Sequence, residues 1–217
     1  MRRRRATTRY ANRTLAGRAL ADALFTKAVL EKPVVLALPR GGVPVGAEVA
    51  ARLNAQLGVI LVRKIGVPGR SELAMGALAM VGGEVAEFRN EEIINGLRIS
   101  NQAFEAARNR ELLELKRRAS IFPAADLDIA DATVILVDDG LATGSTMLAA
   151  LAAVRTHAPA AVVVAVPVGA RQAVQALRSL ADRVVCLWTP EACVAVGGAY
   201  EDFRQLSDEE VLSILNE

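Results

Sequence analysis

A chain of 217 residues that is 53% hydrophobic and 23% charged can bury one good core, so a single domain with an appended flap is expected, not a string of separate domains. The balance of 26 Lys and Arg against 24 Asp and Glu leaves a net charge of +2, which argues against a dedicated nucleic-acid binder and confines any polyanion site to a local cluster. Two cysteines, Cys186 and Cys193, and a single histidine, His157, are too few for a disulfide framework or a His/Cys metal site; reduced thiols in a soluble, cytoplasmic protein without a membrane anchor are expected.

The chain opens on Arg2, Arg3, Arg4 and Arg5, read as a solvated, frayed arm, with nonspecific RNA or DNA contact as the alternative. Over residues 10–30, Leu15, Ala19, Leu20, Ala23, Leu24 and Val29 share one helical face. Pro33 breaks that pattern, and residues 34–38 form a short apolar run ending in Pro39-Arg40-Gly41-Gly42, as a buried strand feeding a tight turn does. Helical spacing returns over 43–53. Residues 59–62 predict a second buried strand, which runs into Arg63 and Lys64. Residues 65–87 hold Gly66, Gly69, Gly76, Gly82 and Gly83 with weak periodicity, and predict a mobile loop followed by one or two short strands. Residues 90–119 are polar with a stripe of Leu97, Phe104, Leu112 and Leu115; one long helix or two is expected, ending before Pro123. The charge run from Arg108 to Arg118, with Glu111 and Glu114 interleaved, reads as a solvated helical face supported by i,i+4 pairs.

Beyond that point the alternation is regular: strand 133–137, helix 145–155, strand 161–166, helix 171–180, strand 183–187. This rhythm, with few aromatics and much Ala, Val and Leu, predicts an α/β fold with a central, mainly parallel sheet flanked by helices. Such sheets bind ligands outside the carboxyl ends of their strands, where strand order reverses. Arg40, Lys64, Asp138 and Trp188 all fall at predicted strand ends, so one cleft can collect them.

The chemistry concentrates in residues 134–146. A buried strand delivers Asp138 and Asp139 to the mouth of the sheet, and the loop Gly140, Leu141, Ala142, Thr143, Gly144 then opens a helix at Ser145 and Thr146. Gly140 and Gly144 let backbone amides approach an anion, the three hydroxyls donate, and the helix N-terminus adds partial positive charge: a cradle for a monoester phosphate. No Lys follows Gly144, so this is not the ATP-type loop, and no G-x-G-x-x-G follows a predicted strand. Two carboxylates beside a phosphate loop suit a ligand with hydroxyls just past its phosphate, as in a ribose diol, and a divalent cation nearby.

This 13-residue stretch resembles the signature by which type I phosphoribosyltransferases bind 5-phosphoribosyl-1-pyrophosphate (PRPP). Leu38-Pro39-Arg40-Gly41-Gly42-Val43, Val62-Arg63-Lys64-Ile65-Gly66 and the segment from Val196 through Phe203 are similar to one bacterial branch of that superfamily, whose acceptor is unassigned. The resemblance implies the type I fold with hood or lid elements within 65–122 and 188–217. It implies a 5′-phosphate site on residues 140–146, ribose hydroxyls at Asp138 and Asp139, and pyrophosphate at Arg40, Gly41, Gly42, Arg63 and Lys64. In the superfamily the pyrophosphate loop often carries a non-proline cis peptide, which Gly41 and Gly42 would tolerate most cheaply. Magnesium, met by Asp138 and Asp139 indirectly through ribose hydroxyls or water, is the implied cofactor. Transfer to a nitrogenous, nucleobase-like acceptor with release of pyrophosphate is the implied reaction, with Asp138, Asp139 and Lys64 as catalytic residues.

Residues 188–203 and part of 81–88 stand where the superfamily recognises its acceptor. Trp188 and Tyr200 are the aromatic candidates there, core packing being the alternative for each. Residues 90–119 exceed a minimal core and suit a lid, a homodimer surface or the far wall of the hood. A non-catalytic regulator that senses PRPP or a nucleotide is the second reading, opposed by the near-neutral charge and the lack of a helix-turn-helix unit.

Overall fold

The apolar runs around Val35 and Ile135 are too short for helices and too continuous for a half-solvated sheet, and they form two adjacent strands of a parallel sheet covered on both faces. The computed structural model describes residues 9–26, 31–81, 83–122, 127–190 and 195–216, with Ser71 and Glu72 described through their backbone; Arg2 to Arg5 and Cys193 lie outside them. In chain order the elements are α1 (Arg13–Phe25), β1 (Pro33–Ala37), α2 (Gly42–Leu53), β2 (Gln56–Val59), β3 (Leu61–Val67), β4 (Arg70–Val81), β5 (Glu84–Arg89), α3 (Glu91–Gly96), α4 (Asn101–Ala119), β6 (Thr133–Val137), α5 (Ser145–Arg155), β7 (Ala161–Val168), α6 (Arg171–Arg178), β8 (Arg183–Trp188), a 3-10 turn (Val196–Ala199) and α7 (Asp208–Leu215).

Five strands form the parallel sheet in the order β2-β1-β6-β7-β8. Alternate strand residues face opposite sides. Val35, Ile135 and Val163 meet Leu20 and Leu24 of α1 and Val45 and Val49 of α2. Leu36, Leu136 and Val164 meet Met147, Leu151 and Val154 of α5 and Leu177 of α6. Each such fully buried side chain contributes about 1.5–3 kcal/mol relative to exposure. This is the α/β fold with a parallel sheet that the alternation predicts. Strand order reverses between β1 and β6, which run in register from Pro33 opposite Thr133 to Ala37 opposite Val137. The loops leaving these two strands therefore lie side by side at the carboxyl edge.

Residues 56–89 depart most from the sequence expectation. The single strand predicted over 59–62 is a junction: β2 ends at Val59 in the parallel sheet, Ile60 still donates to the Ala37 carbonyl at 3.0 Å, and β3 begins at Leu61 in a second sheet. The glycine-rich stretch 65–87, read as a mobile loop followed by one or two short strands, lies almost wholly in an antiparallel sheet, β3-β4-β5: strands are present as expected, but the 12-residue β4 at the centre takes the place of the loop. Ala79 and Val81 join the cluster containing α5, while Leu78 and Met80 join Phe104 and Leu115 of α4. With helices on both faces, β4 has no polar side to alternate with, and the period-2 signal vanishes.

The buried face of α1 is Ala16, Gly17, Leu20, Ala21 and Leu24, with Leu15 45% exposed, because small residues let α1 lie close on α2. In residues 90–119 two helices form; Phe104 and Leu115 are buried while Leu97 is exposed. Helix α7 was not anticipated, although Ser207 and Glu210 form a reciprocal capping box that marks its start, and Val211 buries it. No helix among the described residues is long and apolar enough to cross a membrane.

Candidate active site

Strand β6 is buried along its whole length and releases Asp138 and Asp139 beside the end of β1. The two loops interlock. A Cβ on Gly41 would stand 2.0 Å from Asp139 Oδ2, so only glycine admits the carboxylate there. The non-proline cis peptide lies at Pro39–Arg40, at the entry of the Arg40-Gly41-Gly42 loop in which the resemblance implies one, and not at the two glycines that would tolerate it most cheaply. The two glycines serve close approach instead: a Cβ on Gly42 would meet the Val137 carbonyl at 2.7 Å.

The two acids have different surroundings. Asp139 Oδ2 accepts from Arg13 Nε at 2.8 Å, and the two side chains are only 14% and 11% exposed. The Arg13 guanidinium lies 4.0 Å from the centre of the Phe203 ring and donates to the Arg204 carbonyl at 3.0 Å. Tyr200 donates its hydroxyl to the Asp139 carbonyl at 2.6 Å and stacks on Phe203. Asp138 instead lines the open cleft, and its Oδ1 accepts from the Asp139 amide at 2.8 Å. Burial pushes the Asp138 carboxyl well above the ordinary 3.8, helped by the neighbouring Asp139 charge. Burial also raises Asp139, but the Arg13 hydrogen bond and charge oppose it. Burial and the Asp139 charge push the Tyr200 hydroxyl up, which keeps it a donor.

The loop after the acids is pinned by its middle. Leu141 is buried and bridges to Gly169, donating to the Val168 carbonyl and accepting from Ala170. Gly140 packs against Val168 and Val196, while Ala142 and Thr143 stay exposed. Gly144 occupies the N-cap of α5 at φ 75°, a left-handed conformation that residues with a side chain rarely adopt. It turns the chain so that the exposed Thr143 and Thr146 and the half-buried Ser145 surround the N-terminus of an 11-residue helix. Thr143 Oγ1 and Ser145 Oγ are 3.0 Å apart. Lys64 Nζ donates to Ser145 Oγ at 3.4 Å, bringing a cation from β3 to the same place. Amides, hydroxyls and an ammonium thus converge where an anion would be stabilised.

A cleft of about 830 Å³ opens beside this loop, lined by Pro39, Lys64, Asp138, Thr146 and, across from them, Arg110 and Glu111 of α4. Arg63 lines it too, held by Glu111 Oε2 at 2.8 Å from Nε and 2.7 Å from Nη2. Sequence reasoning missed this wall because it read the α4 charges as solvated; Arg117 and Arg118 do pair with Glu114, but Arg118 also lines the cleft. The 107, 110/111, 118 spacing was the available signal. Arg13 left no such signal, since its role depends on chain ends meeting in space.

Arg40, Tyr200 and Trp188 are among the expected site residues that lie apart from the cleft. Arg40 extends toward Asp208 of α7 at 3.7 Å. Tyr200 is 4% exposed and sits beneath the acidic pair, so its ring has no face to offer an acceptor. Trp188 ends β8 and packs, partly buried, with Val168 and Tyr200, the core-packing alternative weighed for it.

The model of the phosphoribosyl transferase domain family matches residues 8–201. Two Mycobacterium tuberculosis proteins, named "Putative phosphoribosyl transferase MT0597" and "Putative phosphoribosyl transferase Rv0571c", are 43% identical over 206 residues, covering 93% of this chain and 45% of each relative. The chain thus spans less than half the length of these curated relatives. The crystal structure of TT1426 from Thermus thermophilus is 43% identical with a TM-score of 0.82, covering 95% of this chain and 97% of that one. With the parallel sheet, the switch-point acids and the loop at Gly144 in place, the match over nearly the whole chain places this protein in the type I phosphoribosyltransferase superfamily.

Proposed function

We propose that the protein transfers the 5-phosphoribosyl group of PRPP to a nitrogenous, nucleobase-like acceptor and releases pyrophosphate. The observation that carries this reading is that Asp138, Lys64 and Thr146 line one cleft: a carboxylate for hydroxyls, a cation for phosphate and the opening turn of α5. The 5′-phosphate rests on the amides and hydroxyls of residues 142–146. The ribose hydroxyls donate to Asp138. Asp139, held by Arg13, keeps the loop in place from behind rather than facing the sugar.

The C1–oxygen bond breaks with its electron pair leaving on pyrophosphate, and the acceptor nitrogen attacks C1 from the opposite face with inversion; the acceptor's proton passes to solvent. Charge developing on the leaving group is stabilised by Lys64 and Arg63, which stand ready before reaction. Among the described residues no group of three or more His, Cys, Asp or Glu could hold a metal ion. A magnesium ion bound with PRPP would be held indirectly, with Asp138 as the carboxylate meeting it through ribose hydroxyls or water. Magnesium would supply neutralisation of the diphosphate.

Calorimetric titration with PRPP and magnesium, followed by a pyrophosphate-release assay over a panel of nucleobases and small amines, tests this. Binding with release for one acceptor supports the reading and names the acceptor. Binding without release from any acceptor favours a PRPP-sensing regulator, and no binding sinks both.

A further inference from the structure

Tyr200 carries a hydroxyl that its packing does not require. Its ring sits with Ala16, Val168 and Ala199 and stacks on Phe203, surroundings that a phenylalanine would fill as well. Burying a hydroxyl costs free energy unless it is hydrogen-bonded, and this one donates at 2.6 Å to the main-chain carbonyl of Asp139, 61 residues away in the chain. Arg13 grips the same residue a second time. Its guanidinium donates to the Asp139 carboxylate and to the Arg204 carbonyl while lying over the Phe203 ring.

Both grips come from one small assembly. Residues 10 and 11 run beside 199–202: the Tyr10 amide donates to the Ala199 carbonyl at 2.8 Å, the Glu201 amide to the Tyr10 carbonyl at 2.8 Å and the Asp202 amide to the Ala11 carbonyl at 3.0 Å. Asn12 then caps α1 by accepting from the Leu15 amide at 2.9 Å, which sets Arg13 at the first helical position. Tyr10, Arg13, Tyr200 and Phe203 do not line the cleft; they close on Asp139 from behind. With its side chain and its carbonyl both held, Asp139 has little rotational freedom left, and its amide is aimed at Asp138 Oδ1, 2.8 Å away. The carboxylate that faces the cleft is thus set in direction by residues that do not reach the cleft.

We propose that Tyr200 and Arg13 are positioning residues: acting through Asp139, they aim the Asp138 carboxylate at the ribose hydroxyls of the substrate. The proposal rests on the reading above that Asp138 meets the ribose. It gives the segment from Tyr200 to Arg204 a part in sugar binding without contact with the sugar.

Calorimetry on the full chain with two probes separates the sugar from its phosphate: inorganic phosphate reports the loop at Gly144 alone, and ribose 5-phosphate adds the hydroxyls. Tyr200→Phe keeps the ring and removes one donor; it should weaken ribose 5-phosphate binding about three- to tenfold, the worth of one hydrogen bond, and leave phosphate affinity unchanged. Arg13→Lys keeps the charge but cannot bond Asp139 and the Arg204 carbonyl while lying flat on Phe203, so it should lose at least as much for the same probe. In an Asp138→Asn background Tyr200→Phe should have no further effect, because the groups act in series; a merely structural role would cost the same in both backgrounds. Equal losses for the two probes, an undiminished effect in the Asp138→Asn background, or a Tyr200→Phe protein that binds ribose 5-phosphate like wild type would each overturn the proposal. Wild-type protein that binds ribose 5-phosphate no more tightly than inorganic phosphate removes instead the ribose reading beneath it.

Discussion

The two walls of the cleft are built by different means. The carboxyl edge of the parallel sheet is made by backbone: interlocked loops at Gly41 and Asp139, a buried anchor at Leu141, a left-handed turn at Gly144 and a helix N-terminus. The opposite wall is made by long side chains, Arg63, Arg110, Glu111 and Arg118, carried on a strand and a helix outside that sheet. A backbone-built wall has little room to adjust, so substitutions there act all at once; a wall of flexible cations can be tuned residue by residue. On the function proposed above, the placing of the sugar phosphate falls on the rigid side.

This contrast can be broken or sharpened by substitution. The largest effect is expected at Arg13, where alanine leaves Asp139 buried without its cation; loss of about 3–5 kcal/mol is the usual result of breaking a buried ion pair from one side, and denaturant unfolding reads it directly. A loss below about 1 kcal/mol, the level of a surface pair, would remove the rigid-wall account. Next is Gly144→Val. A β-branched residue at φ 75°, with its Cβ 3.1 Å from that of Ala173, should cost about 1–3 kcal/mol of stability and abolish ribose 5-phosphate binding in the protein that remains folded by circular dichroism.

The acidic pair should leave its mark on pH dependence. Burial raises both carboxyls in the fold, Asp138 most, above the ordinary 3.8. From that value upward the folded chain therefore binds more protons than the unfolded chain, and stability falls as pH rises through the folded-state values. Asp138→Asn removes the larger share: thermal melts between about pH 5 and pH 8 should show a flatter profile, and the variant should be more stable than wild type at neutral pH by on the order of 1 kcal/mol. It should also bind PRPP more weakly, since the ribose loses its charged acceptor. A profile as steep as wild type would assign the slope to other groups. The smallest effect belongs to Arg40→Ala. Its 3.7 Å contact with Asp208 is partly solvated on both sides, so less than about 1 kcal/mol of stability should be lost in denaturant unfolding.

Much of the rigid wall was legible before any coordinates. Strand 133–137 and helix 145–155 form at the predicted residues, because a continuous apolar run followed by a small-residue loop and a helical stripe has few other solutions. The far wall was not legible. β4 lost its alternation by being buried on both faces, and the α4 charges look the same in sequence whether they meet water or a cleft. Asp138 and Asp139, adjacent and chemically identical, were assigned one shared role; the structure separates them, one on the cleft and one against Arg13.

What the sequence by itself determined is local: where strands and helices begin, the turn that only Gly144 makes easily, the acids at the end of a buried strand, and so the α/β class and the superfamily. Such features depend on a few neighbouring residues, whose sterics and periodicity are written in order along the chain. Tertiary structure alone decided which distant residues meet. Arg13 reaches Asp139 across 126 residues and Glu111 reaches Arg63 across 48, and no local rule encodes either encounter. Both depend on how helices settle on the sheet, which is set by the packing of the whole core.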